Sequence, residues 1–304
     1  MTQPAARSRV VAIGVATRDV IASIRSWVAP DGRALAEDMV EGGGGNAATA
    51  AVTLARLGVA VSFVGRIGDD ETGEQIRVGF EREGVEISGL RRVKGERSPA
   101  SVILVNRETA ERSIVTFQSV CRAIELDEEE LARCAAADWI HVDQAGYAAV
   151  AGIRRAGIRT PVSLDAGNPV PNLDLGLVDL YAPTESRLLG TMGREDLAAA
   201  MRAALEAGPR MVVVTRGAQG SLAAVRDGEI RFVAAAACRA PEIVSTLGAG
   251  DVFHGALLAG LVQGLALEEV LRFANAVAAL SCRGLDGRSA IPTKSELEAF
   301  LGLS

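Results

Sequence analysis

The sequence predicts an α/β fold built on a mostly parallel sheet with helices on both faces. Short continuous apolar runs recur along the chain, and stretches of amphipathic, helical length separate most of them. The 304 residues are 49% hydrophobic and 23% charged, enough to bury a sizeable core. No linker-like shift divides them, so one large domain over 1–304 with a small appendage is expected.

Residues 10–15 open the pattern as a buried strand that meets Gly14 and a polar turn. Residues 47–57 are alanine-rich with apolar positions at helical spacing, and stop before Gly58. Strand-like runs follow at 61–64, 139–142, 161–164, 177–181 and 211–215, with helical stretches at 72–83, 195–207, 249–263 and 267–282. Between Ser98 and Phe117 two β-prone runs flank the polar turn Asn106-Arg-Glu-Thr109. They fit a hairpin extended as a lid and fit core strands equally well.

A formal net charge of −6, with both signs interspersed, offers no extended positive face for nucleic acid, although Arg91, Arg92 and Lys94 cluster locally. No stretch approaches the uninterrupted apolar length of a membrane span, and the apolar run near the start is too short for a signal peptide. A soluble, cytoplasmic protein is expected. Cys121, Cys134, Cys238 and Cys282 form no Cys-x-x-Cys pair and are expected as free thiols. His141 and His254 are the only histidines, too few for a zinc site, so any metal should be oxygen-bound, with magnesium carried on a nucleotide the first expectation.

The segment Val244-Ser-Thr-Leu-Gly-Ala-Gly-Asp-Val-Phe-His254 runs a small-residue loop directly into a helix. First-turn amides lack internal partners, and Gly248 and Gly250 let a phosphate approach the backbone. Asp251 beside them can take a proton from an incoming hydroxyl. Residue statistics alone leave it equally able to favour the helix start. The cluster Gly42-Gly-Gly-Gly45 is a second place for close approach, or simply a flexible loop leading to a helix capped by Asn46. It is not a dinucleotide fingerprint. Lys94 and Lys294, the only lysines, stand outside any Gly-x-x-x-x-Gly-Lys-Ser/Thr loop, which excludes a P-loop nucleotidase.

With these residues in view the chain resembles the ribokinase, or PfkB, family of carbohydrate and nucleoside kinases. The upstream signature looks like residues 43–58 continuing into Phe63-Val-Gly-Arg-Ile-Gly-Asp-Asp70; the downstream one is Thr246-Leu-Gly-Ala-Gly-Asp-Val-Phe253. The resemblance implies a three-layer α/β/α fold with a mostly parallel central sheet and a small β-sheet lid, drawn from segments near 15–42 and 98–118, which often forms a dimer contact. It implies ATP and Mg2+ as cofactors and a sugar as substrate. Asp251 would be the base, and the amides of Gly248, Ala249 and Gly250 the anion hole. Asp19, Gly43, Gly44, Asn46 and Asp143 would contact the sugar. Thr215, Gly217 and Gly220 would contact the nucleotide, with Asn275, Ser281 and Gly287 at the adenine pocket. Glu185 would organise Mg2+ through water.

Three positions depart from the family pattern. Ala182 replaces the asparagine of Asn-x-x-Glu, and Ala48 a sugar-contacting asparagine. Ser245 replaces an aspartate, which puts the monovalent-cation activation of many relatives in doubt. Residues 139–143 and 271–282 look closest to ketohexokinase-type and sulfofructose-kinase-type members, which implies a ketose or furanose-type sugar. Ala145 and Gly146 stand where a sulfonate-binding arginine would be, so a sulfosugar is not expected. The alternatives are a nucleoside kinase on the same scaffold and a catalytically silent sugar- or nucleotide-binding homologue.

Overall fold

The structure, a computed structural model, describes residues 9–118, 124–238 and 242–302. The chain runs through β1 (Arg9–Ile13), β2 (Thr17–Ile24), β3 (Asp38–Gly44), α1 (Asn46–Arg56), β4 (Ala60–Gly68), α2 (Glu71–Arg82), β5 (Glu86–Val93), β6 (Ala100–Asn106) and β7 (Arg112–Phe117). It continues through α3 (Glu128–Ala136), β8 (Trp139–Val142), α4 (Val150–Arg155), β9 (Val162–Asp165), β10 (Leu180–Ala182), α5 (Glu185–Met192), α6 (Leu197–Glu206) and β11 (Met211–Thr215). It ends with β12 (Ser221–Asp227), β13 (Glu229–Ala235), α7 (Ala249–Val262), α8 (Leu267–Ser281) and α9 (Lys294–Leu301).

Among the described residues the main sheet has nine strands in the order β13-β12-β11-β10-β9-β8-β1-β4-β5. All neighbours are parallel except β11 with β12 and β12 with β13. Its central strands are covered on both faces, which is why they read as continuous apolar runs. Along β1, Val10 and Ala12 join the core beneath α1, α2, α7 and α8, whereas Val11 and Ile13 join the core beneath α3 to α6. This alternation within one strand defines the three layers.

The structure moves several expected boundaries: the strand expected over 61–64 runs over Ala60–Gly68. Leu177 lies in a helical turn rather than a strand, because Asp174 accepts the Gly176 N–H at 2.9 Å and the strand starts only at Leu180. The helix expected from 195 starts at Leu197, since Asp196 caps it by accepting the Ala199 N–H. Strands β5, β12 and β13 and helices α3, α4, α5 and α9 were not read from the sequence.

The hairpin of residues 98–117 does not enter the main core. Strands β6 and β7 pair with β2 and β3 in a separate sheet of order β3-β2-β6-β7. Ile21, Ile103 and Val105 from this sheet pack on Leu247 and Leu285 of the main layer, holding it beside the loop before α7. Residues 42–44 belong to β3 and pair with β2, so this part of the glycine cluster is strand rather than flexible loop.

Helices α1 and α7 approach closely; a Cβ at Gly255 would lie 2.6 Å from the Ala50 carbonyl oxygen. The alanines of α1 and this glycine together bring the two helix N-termini to one place. Cys134, Cys238 and Cys282 are free; Cys121 lies outside the described residues. Among the described residues no helix is long and apolar enough to cross a membrane.

Candidate active site

The expected anion hole falls at the N-terminus of α7. Gly248 is its N-cap at φ +73°, a conformation that favours glycine, and a Cβ there would press within 2.9 Å of Gly287 Cα. Among the described residues no side chain caps the helix and the amides of Gly250 and Asp251 meet no carbonyl, while the Ala249 N–H already donates to Thr246 O at 3.3 Å. A Cβ on Gly250 would meet nothing within 4 Å, so this turn is not packed over at that position.

The carboxylate of Asp251 is not spent on the helix start. Its Oδ1 accepts the Asn46 side-chain amide at 2.8 Å. Burial first, then the neighbouring carboxylates Asp165 and Asp143, push its pKa well above the usual range, against the pull of Arg112 and Arg288. Such a group is a better proton acceptor than an exposed aspartate. The N-cap of α1 is Gly45, at φ +92°, and Asn46 is the first helical residue, so the expected capping role of Asn46 does not hold. Its amide also faces Asp165 Oδ2 at 3.5 Å, and its oxygen accepts from Asn168 at 3.3 Å.

Asp19 projects from the inner face of the small sheet. Thr17 donates to its Oδ1 at 2.7 Å, and its pKa is raised by burial against hydrogen bonds from Thr17 and Ser101 and the charge of Arg288. A Cβ on Gly44 would run into Asp19 Oδ2, so glycine at this point leaves room for the carboxylate. Arg288, which the sequence reading missed, lies under Gly43 and ties the strand down: Nη2 donates to Gly44 O at 2.7 Å and Nε to Thr49 Oγ1 at 3.1 Å. Burial pushes its pKa down to about 10. The small-polar loop Asp286-Gly-Arg-Ser289 after α8 was the available signal. Arg112 of β7 was missed as well; it reaches the anion loop and donates to Thr246 Oγ1 at 3.0 Å.

Asp143 does not fit the expected sugar contact. Its carboxylate is fully buried and accepts the backbone N–H groups of Val15, Ala47, Ala145 and Gly146 at 2.8 to 3.3 Å. It is a clasp that joins the ends of β1 and β8 to the start of α1.

Of the residues expected to contact the nucleotide, Thr215 ends β11 and its N–H reaches Pro183 O at 3.2 Å. Residues 217–219 form a helical turn that the Arg216 N–H closes on Gly220 O at 2.8 Å. Glu185 starts α5 and meets Arg216 Nε at 3.0 Å, a partner the sequence reading missed. Among the described residues no group of three acidic, cysteine or histidine side chains could hold an ion alone. A lone carboxylate would suit only an ion such as Mg2+ that keeps its waters and binds chiefly to phosphates. The expected adenine-pocket residues are otherwise engaged. Asn275 donates to Ala235 O and Ala236 O at 3.2 and 3.0 Å, and Ser281 donates to Ala278 O of its own helix at 2.8 Å. Gly287 packs against Gly248, at the anion loop.

The profile of the pfkB family carbohydrate kinases matches residues 7–294. The chain belongs to this family. Among PfkB relatives, the ribokinase of Haemophilus influenzae is 26% identical, with 97% of this chain and 99% of that protein covered. The fructokinase of Klebsiella pneumoniae is 30% identical over 85% of this chain and 91% of its own length. The solved structure of Arabidopsis thaliana ribokinase, complexed with ribose and ATP, superposes with a TM-score of 0.83 at 26% identity, covering 98% of this chain and 100% of that one. The fold is therefore ribokinase-like and the protein a carbohydrate kinase of the PfkB family.

Proposed function

We propose that the chain transfers the γ-phosphoryl group of ATP to a hydroxyl of a ketose or furanose-type sugar. Asp251 removes the hydroxyl proton while the Gly248–Gly250 turn receives the charge of the phosphoryl group. The observation that carries this reading is the placement of Asp251 beside two unpaired amides, with Asn46 holding Oδ1 and leaving Oδ2 for the acceptor. Phosphoryl transfer needs mainly position and charge stabilisation, and both are present at this junction.

Asp19, Gly43, Gly44 and Asn46 line the sugar side in this reading, and the 215–220 turn lines the nucleotide side. Magnesium neutralises phosphate charge when bound with ATP, and Glu185 would hold it through water. The ribose and ATP named with the Arabidopsis structure support the same pair of ligands here.

A sugar is favoured over a nucleoside by the lid. Phe117 pairs with Ala100 on the outer face, under the Arg97 guanidinium, while the inner face presents Asp19, Ser101, Thr116 and the aliphatic Ile21 and Ile103. No aromatic side chain of β2, β3, β6 or β7 faces inward to stack on a base. The outer face, with Val102, Val115 and Met39 exposed, is where a second copy would dock in the family's dimer.

The test is ATP consumption with Mg2+ against ketoses, aldoses, sugar acids, sugar phosphates and nucleosides. Turnover with ketoses or furanose sugars is the expected result. Response to nucleosides alone would favour the nucleoside kinase, and ATP binding without any turnover would favour the silent homologue.

A further inference from the structure

Behind Asp251 lies a buried polar group that the proposed reaction does not use. Asp165 ends β9 at 2% exposure, and His254 follows Asp251 by one helical turn on α7 at 4% exposure. His254 Nε2 lies 3.3 Å from Asp165 Oδ1, and the Gly167 N–H donates to the same oxygen at 2.9 Å. Asp165 Oδ2 faces Asn46 Nδ2, the nitrogen that also donates to Asp251. Deeper in, His141 Nδ1 is 3.4 Å from Ser163 Oγ, and the two histidine rings are 6.0 Å apart between centroids. Burial and the adjacent His254 lower the His141 pKa to about 4, so this ring is neutral.

His254 Nδ1 and His141 Nε2 are buried with no hydrogen-bond partner among the described residues. Orphaned groups of this kind cost stability, and apolar side chains would fill the same space without that cost. Violations of packing logic concentrate where function requires them.

We propose that Asp165, anchored by His254, is a positioning residue for phosphoryl transfer: it shares the Asn46 amide with Asp251 and holds a fixed negative charge behind that base. The inference rests on Asp251 being the base. The Gly167 N–H, His254 Nε2 and the Asn46 amide stand 2.9, 3.3 and 3.5 Å from the Asp165 carboxylate and hold its charge in place behind Asp251. That charge makes Asp251 hold a proton more readily once it has taken one. The charged groups facing Asp251 are Asp165 from β9, Asp143 just after β8, Arg112 from β7 and Arg288 from the loop after α8. Asp165 and His141 face His254.

The test is the pH profile of kcat/KM for the wild type, Asp165→Asn, His254→Gln and His254→Phe, with thermal melts to check folding. Titration of ATP is common to all four and cancels in the comparison. Removing the charge at 165 should move the acid limb to lower pH by on the order of one unit and lower the plateau. His254→Gln keeps an N–H donor and should retain the wild-type limb, whereas His254→Phe should move it the same way as Asp165→Asn. A folded Asp165→Asn with an unmoved limb overturns the inference. If that variant does not fold, the histidine pair decides, and two wild-type limbs overturn it. Asp251→Asn separates the two levels: full turnover in that variant removes the base itself, whereas an inactive Asp251→Asn beside an unmoved Asp165→Asn limb removes only the role of Asp165.

Discussion

Asn46 and Asp251 stand 205 positions apart in the chain, yet the amide of one donates to the carboxylate of the other at 2.8 Å. The contact joins the first turns of α1 and α7, and with them the two glycine-rich segments that the sequence presents separately. In the proposed reading the sugar side and the phosphate side share this one hydrogen bond. Asn46→Leu should therefore lower kcat by roughly tenfold to a hundredfold with little change in the KM for ATP, because Asp251 loses its orientation while the anion loop stays intact. Steady-state kinetics with both substrates checks this.

The raised pKa of Asp251 has a consequence for stability. Folding favours its neutral form, so the stabilising contribution of this group is present at low pH and is lost as pH rises from the ordinary value of 3.8 through the raised one. Asp251→Asn fixes the neutral form. The variant should melt about 2 °C or more above the wild type at pH 7, and together with it near pH 3, in calorimetric scans across that range.

Gly44→Ala places a methyl group against Asp19 Oδ2. The carboxylate must swing away from Thr17, which should raise the KM for the sugar about tenfold or more and leave ATP affinity unchanged. Separate titration of the two substrates shows which of them is affected.

Glu130 supplies a contrast far from the chemistry. Its side chain is 2% exposed and meets Arg66 Nη1 at 3.2 Å and Arg91 Nε at 3.0 Å, while its other oxygen accepts the Asp127 N–H that opens α3. Glu130→Ala leaves Arg66 uncompensated at low exposure and should cost about 3 kcal/mol in denaturant unfolding, with KM values unaltered.

Much of the main sheet was legible because double-sided burial writes β8, β9 and β11 as apolar runs. The β12–β13 hairpin was overlooked although Asp227-Gly228 carries a tight-turn signal, with Gly228 at φ +77°. The Gly248–Asp251 junction stood out as a candidate because helix starts and glycines carry local meaning, whereas Asp19 came only with the family resemblance. Asp143 misled because a carboxylate at a strand end reads the same whether it faces a ligand or four backbone amides. Arg112, Arg216 and Arg288 come from three separate segments, and only packing reveals that they reach the site. The same holds for Asn275 and Ser281, whose partners are carbonyls that no spacing announces.

The most direct measurement is the rate of ADP formation by Asp251→Asn, at saturating ATP, Mg2+ and sugar, beside a calorimetric titration of ATP into the same protein. Turnover should fall by about 10²- to 10⁴-fold while ATP binds as it does to the wild type. Near-normal turnover with intact ATP binding would contradict Asp251 as the base.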